Sequence, residues 1–165
     1  MDLGNYSRKG LLRDVLIGVG LFVPFILLGM GGIVGGMALL QYTPPAPTGQ
    51  LPTWATLFTI IIWPIIWTFS EDNTYIGYCL PRIEVLTGRK KWLAVGIVWL
   101  FLSVQHVFTP TGLAWQTVVS WFVALIPFTA LYCWLWWRLR RLLPIMVGHV
   151  LADLVSVLLS VYLLG

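Results

Sequence analysis

Charged residues are scarce in this chain, which has only ten Lys and Arg and six Asp and Glu among 165 residues, or 10%. A soluble domain carries roughly 25%, so water is not the solvent for most of this surface. Hydrophobic residues make up 59% and the mean hydropathy is +0.88, more apolar surface than so short a chain can bury in one core. Cysteine is also scarce: Cys79 and Cys133 lack CxxC spacing, which excludes a disulfide framework or a zinc knuckle. No basic stripe has a soluble face to occupy, so nucleic acid is excluded as a partner. The N-terminal apolar stretch, residues 15–40, is too long for the core of a secretory leader and has no convincing cleavage site, so it is expected to remain as a helix. There is no internal repeat and no low-complexity tail.

Five long apolar runs are present. At about 1.5 Å per residue, a helix of about 20 residues crosses a hydrocarbon layer about 30 Å thick. The runs are residues 15–40, 54–86, 92–108, 113–137 and 143–164. Their pattern predicts an all-α, polytopic transmembrane helical bundle of about five spans, with the lipid bilayer as its solvent. The basic residues fall into three clusters beside these runs: Arg8, Lys9 and Arg13; Arg82, Arg89, Lys90 and Lys91; Arg138, Arg140 and Arg141. Alternating the spans puts all three clusters on one side and the proline-rich, uncharged loop 41–53 and the turn 109–112 on the other. A cytoplasmic N-terminus satisfies the positive-inside rule for every cluster at once. The run 54–86 is too long to cross upright, so it is expected to break, to kink at Pro64 or to end in an amphipathic portion. In the first run, Gly31 with Gly35 and Gly32 with Gly36 have the spacing that lets helix backbones approach closely. So small a bundle with a glycine-rich first helix is expected to form a homo-oligomer or to dock on a membrane partner subunit.

Five ionisable side chains lie within the apolar runs, where each charged residue costs about 2.5 kcal/mol or more at a helix centre. They are Glu71, Asp72, His106, His149 and Asp153. Counting from the nearest basic anchor at 1.5 Å per residue, Glu71 lies at about 16 Å, His106 at about 22 Å, His149 at about 12 Å and Asp153 at about 18 Å. All four depths fall around the bilayer middle. His149 and Asp153, four apart, share one helix face, and Glu71, Tyr75 and Tyr78 share another, with Asp72 turned about 100° away. A lone histidine in a membrane helix is most often a packing residue, but five ionisable groups at matched depth mark a functional site. A carboxylate beside a histidine in a dry pocket can take a proton from water and return it to a leaving amine. The same groups suit a divalent metal such as zinc.

Three motifs stand in order on separate runs: Glu71-Asp72-Asn73-Thr74-Tyr75-Ile76, then Leu102 to His106, then His149 to Asp153. Together they resemble the CAAX prenyl protease and bacteriocin-processing family (CPBP, Abi) of intramembrane endopeptidases, whose members carry EExxxR, FxxxH and HxxxN or HxxxD on successive membrane helices. The resemblance covers about residues 63–160. It implies a first segment, 1–53, of cytoplasmic start, first membrane helix and loop, followed by a CPBP-like catalytic core, 54–165, of about four membrane helices. It also implies an intramembrane protease acting on a peptide or protein substrate at the membrane, in a multi-pass protein of a bacterial or archaeal plasma membrane. Glu71 would activate the attacking water. His106 and His149 would hold that water or, with Glu71, a divalent metal, and would shuttle protons. Asp153 would stabilise the oxyanion or orient its neighbour, with Asp72 and Tyr75 in support. Departures from the pattern are Asp72 for the second Glu, Leu102 for Phe and Ile76 for Arg. The last removes the expected cation beside the carboxylates and favours the alternative of a non-catalytic relative acting as an immunity protein, chaperone or scaffold. A b-type haem protein with His106 and His149 as axial ligands would leave the three carboxylates unexplained.

Overall fold

The computed structural model describes residues 10–43, 51–107 and 114–164, and every regular element among them is helical. In chain order they are α1 (Leu11–Leu28), α2 (Met30–Leu39), α3 (Thr53–Leu57), α4 (Trp63–Glu71), α5 (Leu80–Leu86), α6 (Lys91–Val107), α7 (Trp115–Leu139) and α8 (Leu143–Leu164). Two π-helical segments, Phe58–Ile62 and Asp72–Cys79, join α3 to α4 and α4 to α5. Four stretches among the described residues are long and apolar enough to span a membrane: Leu11–Leu39, Thr53–Leu86, Trp115–Leu139 and Leu143–Ser160. The third run, 92–108, contributes the shorter apolar helix Lys91–Val107. The all-α polytopic bundle is the fold. The turn 109–112, most of the loop 41–53 and the basic residues Arg8 and Lys9 lie outside the described residues.

Two expectations about helix continuity are corrected. The first run is not one helix: α1 ends at Gly29, whose φ of −72° and ψ of −84° leave the helical region, and α2 restarts beyond it. Pro24, the more obvious breaker, stays inside α1. The run 54–86 does not break at Pro64, being helical without interruption from Thr53 to Leu86. Pro64 and Pro81 sit at the first positions of α4 and α5, directly after the π segments. A proline lacks the N–H that a helix interior would use, and the wider π turn, with its i to i+5 hydrogen bonds, accommodates that loss without a break.

The helices meet through small residues. A Cβ at Gly18 would lie 2.5 Å from Val147 Cβ and 2.8 Å from the Pro144 carbonyl, and one at Gly148 would lie 2.9 Å from the Gly18 carbonyl. Helices α1 and α8 therefore cross almost backbone to backbone. Gly32 and Gly36 face Ala124 and Ser120 of α7, whereas Gly35 meets nothing within 4 Å, so one of the two small-residue pairs is used within the chain. Outward faces remain apolar, with Leu12 73% and Leu86 85% exposed, as a lipid-facing surface requires.

One end of the bundle gathers the basic clusters. Arg141 Nη2 lies 2.6 Å from Asp14 Oδ2, Trp137 Nε1 donates to Glu84 Oε2 at 3.0 Å, and Lys91 Nζ stands 4.7 Å above the Trp137 ring. These contacts bring the start of α1, the α5–α6 link and the α7–α8 link together, as alternating spans demand. Asp14 is buried, and it escapes a sequence scan because it sits at the edge of the first apolar run beside Arg13. Asp14→Ala should lower stability by about 1–3 kcal/mol, less than the roughly 3–5 kcal/mol for breaking a fully buried pair, because Arg141 keeps access to water. Thermal unfolding of the detergent-solubilised protein measures this, and an unchanged midpoint would show that the pair ties nothing down.

Candidate active site

The three motif helices converge. Glu71 closes α4, His106 lies near the end of α6, and His149 and Asp153 lie one turn apart on α8. Glu71, Asp72 and His149 are all buried. The Glu71 carboxylate stands between the imidazoles: its Oε2 is 3.9 Å from His106 Nε2, and its Oε1 is 3.9 Å from His149 Nε2. Asp153 Oδ1 lies 3.6 Å from the same His149 nitrogen. Asp72 reaches the other side of that ring, with Oδ1 2.9 Å from His149 Nδ1. Two adjacent carboxylates thus address the two nitrogens of one imidazole. This is possible because they leave the helix at the junction between α4 and the second π segment, about a quarter-turn apart.

Proton positions follow from the acceptors. His106 Nδ1 lies 2.8 Å from the Leu102 carbonyl, which can only accept, so Nδ1 carries a hydrogen and Nε2 is the nitrogen directed at Glu71. His149 Nδ1 donates to the Asp72 carboxylate, so its Nε2 is the nitrogen directed at Glu71 and Asp153. Phe25, Phe128 and Tyr132 surround the His149 ring, with centroids 6.1, 5.6 and 5.4 Å away, and the Trp121 ring lies 4.8 Å from that of His106. The walls are dry and aromatic, which strengthens every electrostatic contact inside them.

Other participants come from outside the motifs. Tyr132, on α7 and fully buried, donates its hydroxyl hydrogen to Asp72 Oδ1, with its oxygen 2.7 Å from His149 Nδ1. Thr68, one turn before Glu71, donates to Asp153 Oδ2 at 3.0 Å. Gln105 donates from Nε2 to Glu71 Oε2 at 2.7 Å and accepts from the Tyr75 hydroxyl at 2.7 Å. Gln105 could be suspected because it precedes His106. Tyr132 and Thr68 carry no motif signal, since a tyrosine or threonine in an apolar run reads as packing. Tyr75 joins the site as expected, but Tyr78 does not. It is 48% exposed and lies under the Arg82 guanidinium, 3.6 Å from its ring centre, because the π segment between Glu71 and Tyr78 shifts the i, i+7 relation off the shared face. Ile76, where the family pattern has arginine, is fully buried in the apolar core. Asp72 instead takes its hydrogen bonds from Tyr132 and His149.

A cavity of about 280 Å³ opens beside Glu71, lined by Trp67, Ser70, Thr74, Tyr75 and Gln105. Glu71 Oε1 is buried and has no hydrogen-bond partner among the described residues. An orphaned carboxylate oxygen is costly to leave dry. Each 3.9 Å spacing suits a bridging water at about 2.8 Å from both partners, whereas two ligands of a tetrahedral metal ion at about 2 Å would stand closer together, about 3.3 Å apart.

Among the described residues, Glu71, Asp72 and His149 offer ligand atoms within 4.8 Å of one another. Ring geometry modifies that set. Asp72 lies on the Nδ1 side and Glu71 on the Nε2 side, and the two lone pairs of an imidazole point away from each other. An ion held by Glu71 Oε1 and His149 Nε2 would leave Asp72 to orient the ring through Nδ1–H, a common arrangement behind a metal-bound histidine.

Comparison with curated proteins and with solved structures gives no match. A family model described as type II CAAX prenyl endopeptidase Rce1-like matches residues 50–155. The matched stretch is well over half of the chain and contains Glu71, with His106 and His149 on either side of its carboxylate, and Asp153 beside His149. The chain therefore belongs to the Rce1-like family of type II CAAX prenyl endopeptidases.

Proposed function

We propose that the protein is an intramembrane endopeptidase of the CAAX type, which hydrolyses a peptide bond of a membrane-associated peptide or protein with a water activated by Glu71. The observation that carries this reading is the buried Glu71 carboxylate beside a cavity, with Oε2 3.9 Å from His106 Nε2 and an unpartnered Oε1 3.9 Å from His149 Nε2. Water held there gives a proton to Glu71 as its oxygen bonds to the carbonyl carbon. The tetrahedral intermediate then collapses, the C–N bond breaks, and the proton passes from Glu71 to the departing amine. His106 orients the water through its Nε2. His149 is aligned from behind by Asp72 and Tyr132. Asp153, itself held by Thr68, orients His149 and completes the acceptor side of the site. If a divalent metal such as zinc were bound, Glu71 and His149 would supply ligands to it, and it would serve to polarise the attacking water.

Peptide cleavage by the purified protein in lipid nanodiscs, followed by mass spectrometry on prenylated and unprenylated peptide libraries, tests this. Wild type should cleave, and His106→Ala and His149→Ala should each lose about 10²-fold or more, the usual scale for general acid–base groups. The buried Ile76 supports a second reading, a non-catalytic relative that keeps the shape of the pocket as a scaffold. That reading requires no cleavage by wild type and unchanged cellular function in both histidine variants.

A further inference from the structure

Peptide hydrolysis needs hydrogen-bond donors aimed at the carbonyl oxygen as it becomes an oxyanion, and not every motif residue can serve. Asp153, as a carboxylate, only accepts, and it already accepts from Thr68. The Nδ1 hydrogen of His106 is directed to the Leu102 carbonyl. His149 Nδ1–H is directed to Asp72, and its Nε2 stands 3.9 and 3.6 Å from the Glu71 and Asp153 oxygens.

Gln105 differs in kind. Its side chain lines the cavity beside Glu71. The Glu71 carboxylate can only accept, so the Gln105 atom 2.7 Å from Oε2 must be the NH₂ group, and the amide oxygen is the atom that receives the Tyr75 hydroxyl at 2.7 Å. Both ends of the amide are thereby assigned and held. One N–H binds Glu71, and the amide carries a second, on the same nitrogen, at the wall of the cavity.

We propose that Gln105 is an oxyanion donor of the reaction in addition to the motif residues, with Tyr75 as the positioning residue that fixes its amide. The assignment rests on the hydrolase reading above. As water oxygen bonds to the carbonyl carbon, the π electron pair moves onto the carbonyl oxygen, and the second Gln105 N–H donates to it. When the carbonyl re-forms and the C–N bond breaks, that hydrogen bond weakens again and Gln105 is unchanged. The same amide binds the general base through its first N–H, so base and oxyanion are placed relative to each other by one rigid group.

The test measures kcat and KM on whichever library peptide wild type cleaves, with inhibition by a phosphinic analogue of that peptide, whose tetrahedral anion imitates the intermediate. Gln105→Leu should lower kcat by about 10²–10³-fold, leave KM within about twofold and weaken the phosphinic analogue by a similar factor. Gln105→Glu keeps size and shape while replacing the donor, and should behave alike if the leucine variant fails to fold. Tyr75→Phe should lose about tenfold in kcat through a freed amide. Loss of kcat with undiminished phosphinic binding would show that Gln105 acts only through Glu71 and would overturn the assignment, as would full activity in both Gln105 variants. Absence of cleavage by wild type would instead overturn the hydrolase reading, and this assignment with it.

Discussion

Glu71→Gln should remove peptide cleavage, lowering kcat by about 10³-fold or more, equivalent to about 4 kcal/mol of transition-state stabilisation, while leaving the fold intact. The substitution conserves volume in a buried position and retains an oxygen able to accept the Gln105 hydrogen bond now made at 2.7 Å. It removes the basicity that draws a proton from water. Asp72→Asn provides the contrast. Asp72 has Oδ1 2.9 Å from His149 Nδ1 and does not line the cavity, so it acts through the imidazole, and its loss should cost about 10–10²-fold, within the range seen when an outer-shell partner is removed. Equal losses in the two variants would mean that the adjacent carboxylates work as one unit and that Glu71 has no separate role as the base. The measurement is steady-state cleavage in nanodiscs, with folded yield followed by size-exclusion chromatography.

Gly18→Ala should be the most damaging of the glycine-to-alanine changes among the described helix crossings. The added Cβ would stand 2.5 Å from Val147 Cβ and 2.8 Å from the Pro144 carbonyl. The latter is backbone, so no rotamer change relieves the contact and α1 must move away from α8. Overpacking of this kind costs about 1–3 kcal/mol. Displacing α1 also withdraws Phe25, whose ring packs against Tyr132 and His149 with centroids 5.5 and 6.1 Å away, so activity should fall together with stability. Gly20→Ala, two residues on, meets nothing within 4 Å and should be neutral. Thermal melts of the two variants side by side decide the matter, and indistinguishable midpoints would show that the α1–α8 crossing tolerates expansion.

Much of the fold is legible in the sequence because bilayer insertion depends on one local property, the length of an apolar run, and topology depends on which runs have basic flanks. Both are read from neighbours in the chain. Helix interruptions were harder to read. Pro24 and Pro64 are the conspicuous breakers, yet α1 ends at Gly29, and the residues before Pro64 and Pro81 widen into π turns. A lost N–H can be absorbed by a change of hydrogen-bond register as well as by a kink, and the choice depends on the neighbouring helices. In the site, Glu71, His106, His149 and Asp153 stand out because ionisable groups are costly in lipid, so each such residue is a signal by itself. Tyr132, Thr68 and the buried partnership of Asp14 with Arg141 give no comparable signal. A hydroxyl in an apolar run is cheap to bury, and an acid at the edge of a run looks solvated.

The sequence by itself determined the all-α bundle of apolar helices and the ionisable groups that interrupt their apolar runs, because each follows from composition and spacing along one chain. Only the tertiary structure decided which nitrogen faces which carboxylate, that Asp72 answers to Tyr132 and His149 in place of an arginine, and that Gln105 joins Tyr75 to Glu71. Those relations join residues up to 77 positions apart through contacts of about 3 Å. Periodicity places a side chain on a helix face, but only the packing of one helix against another sets its distance from a side chain on the next.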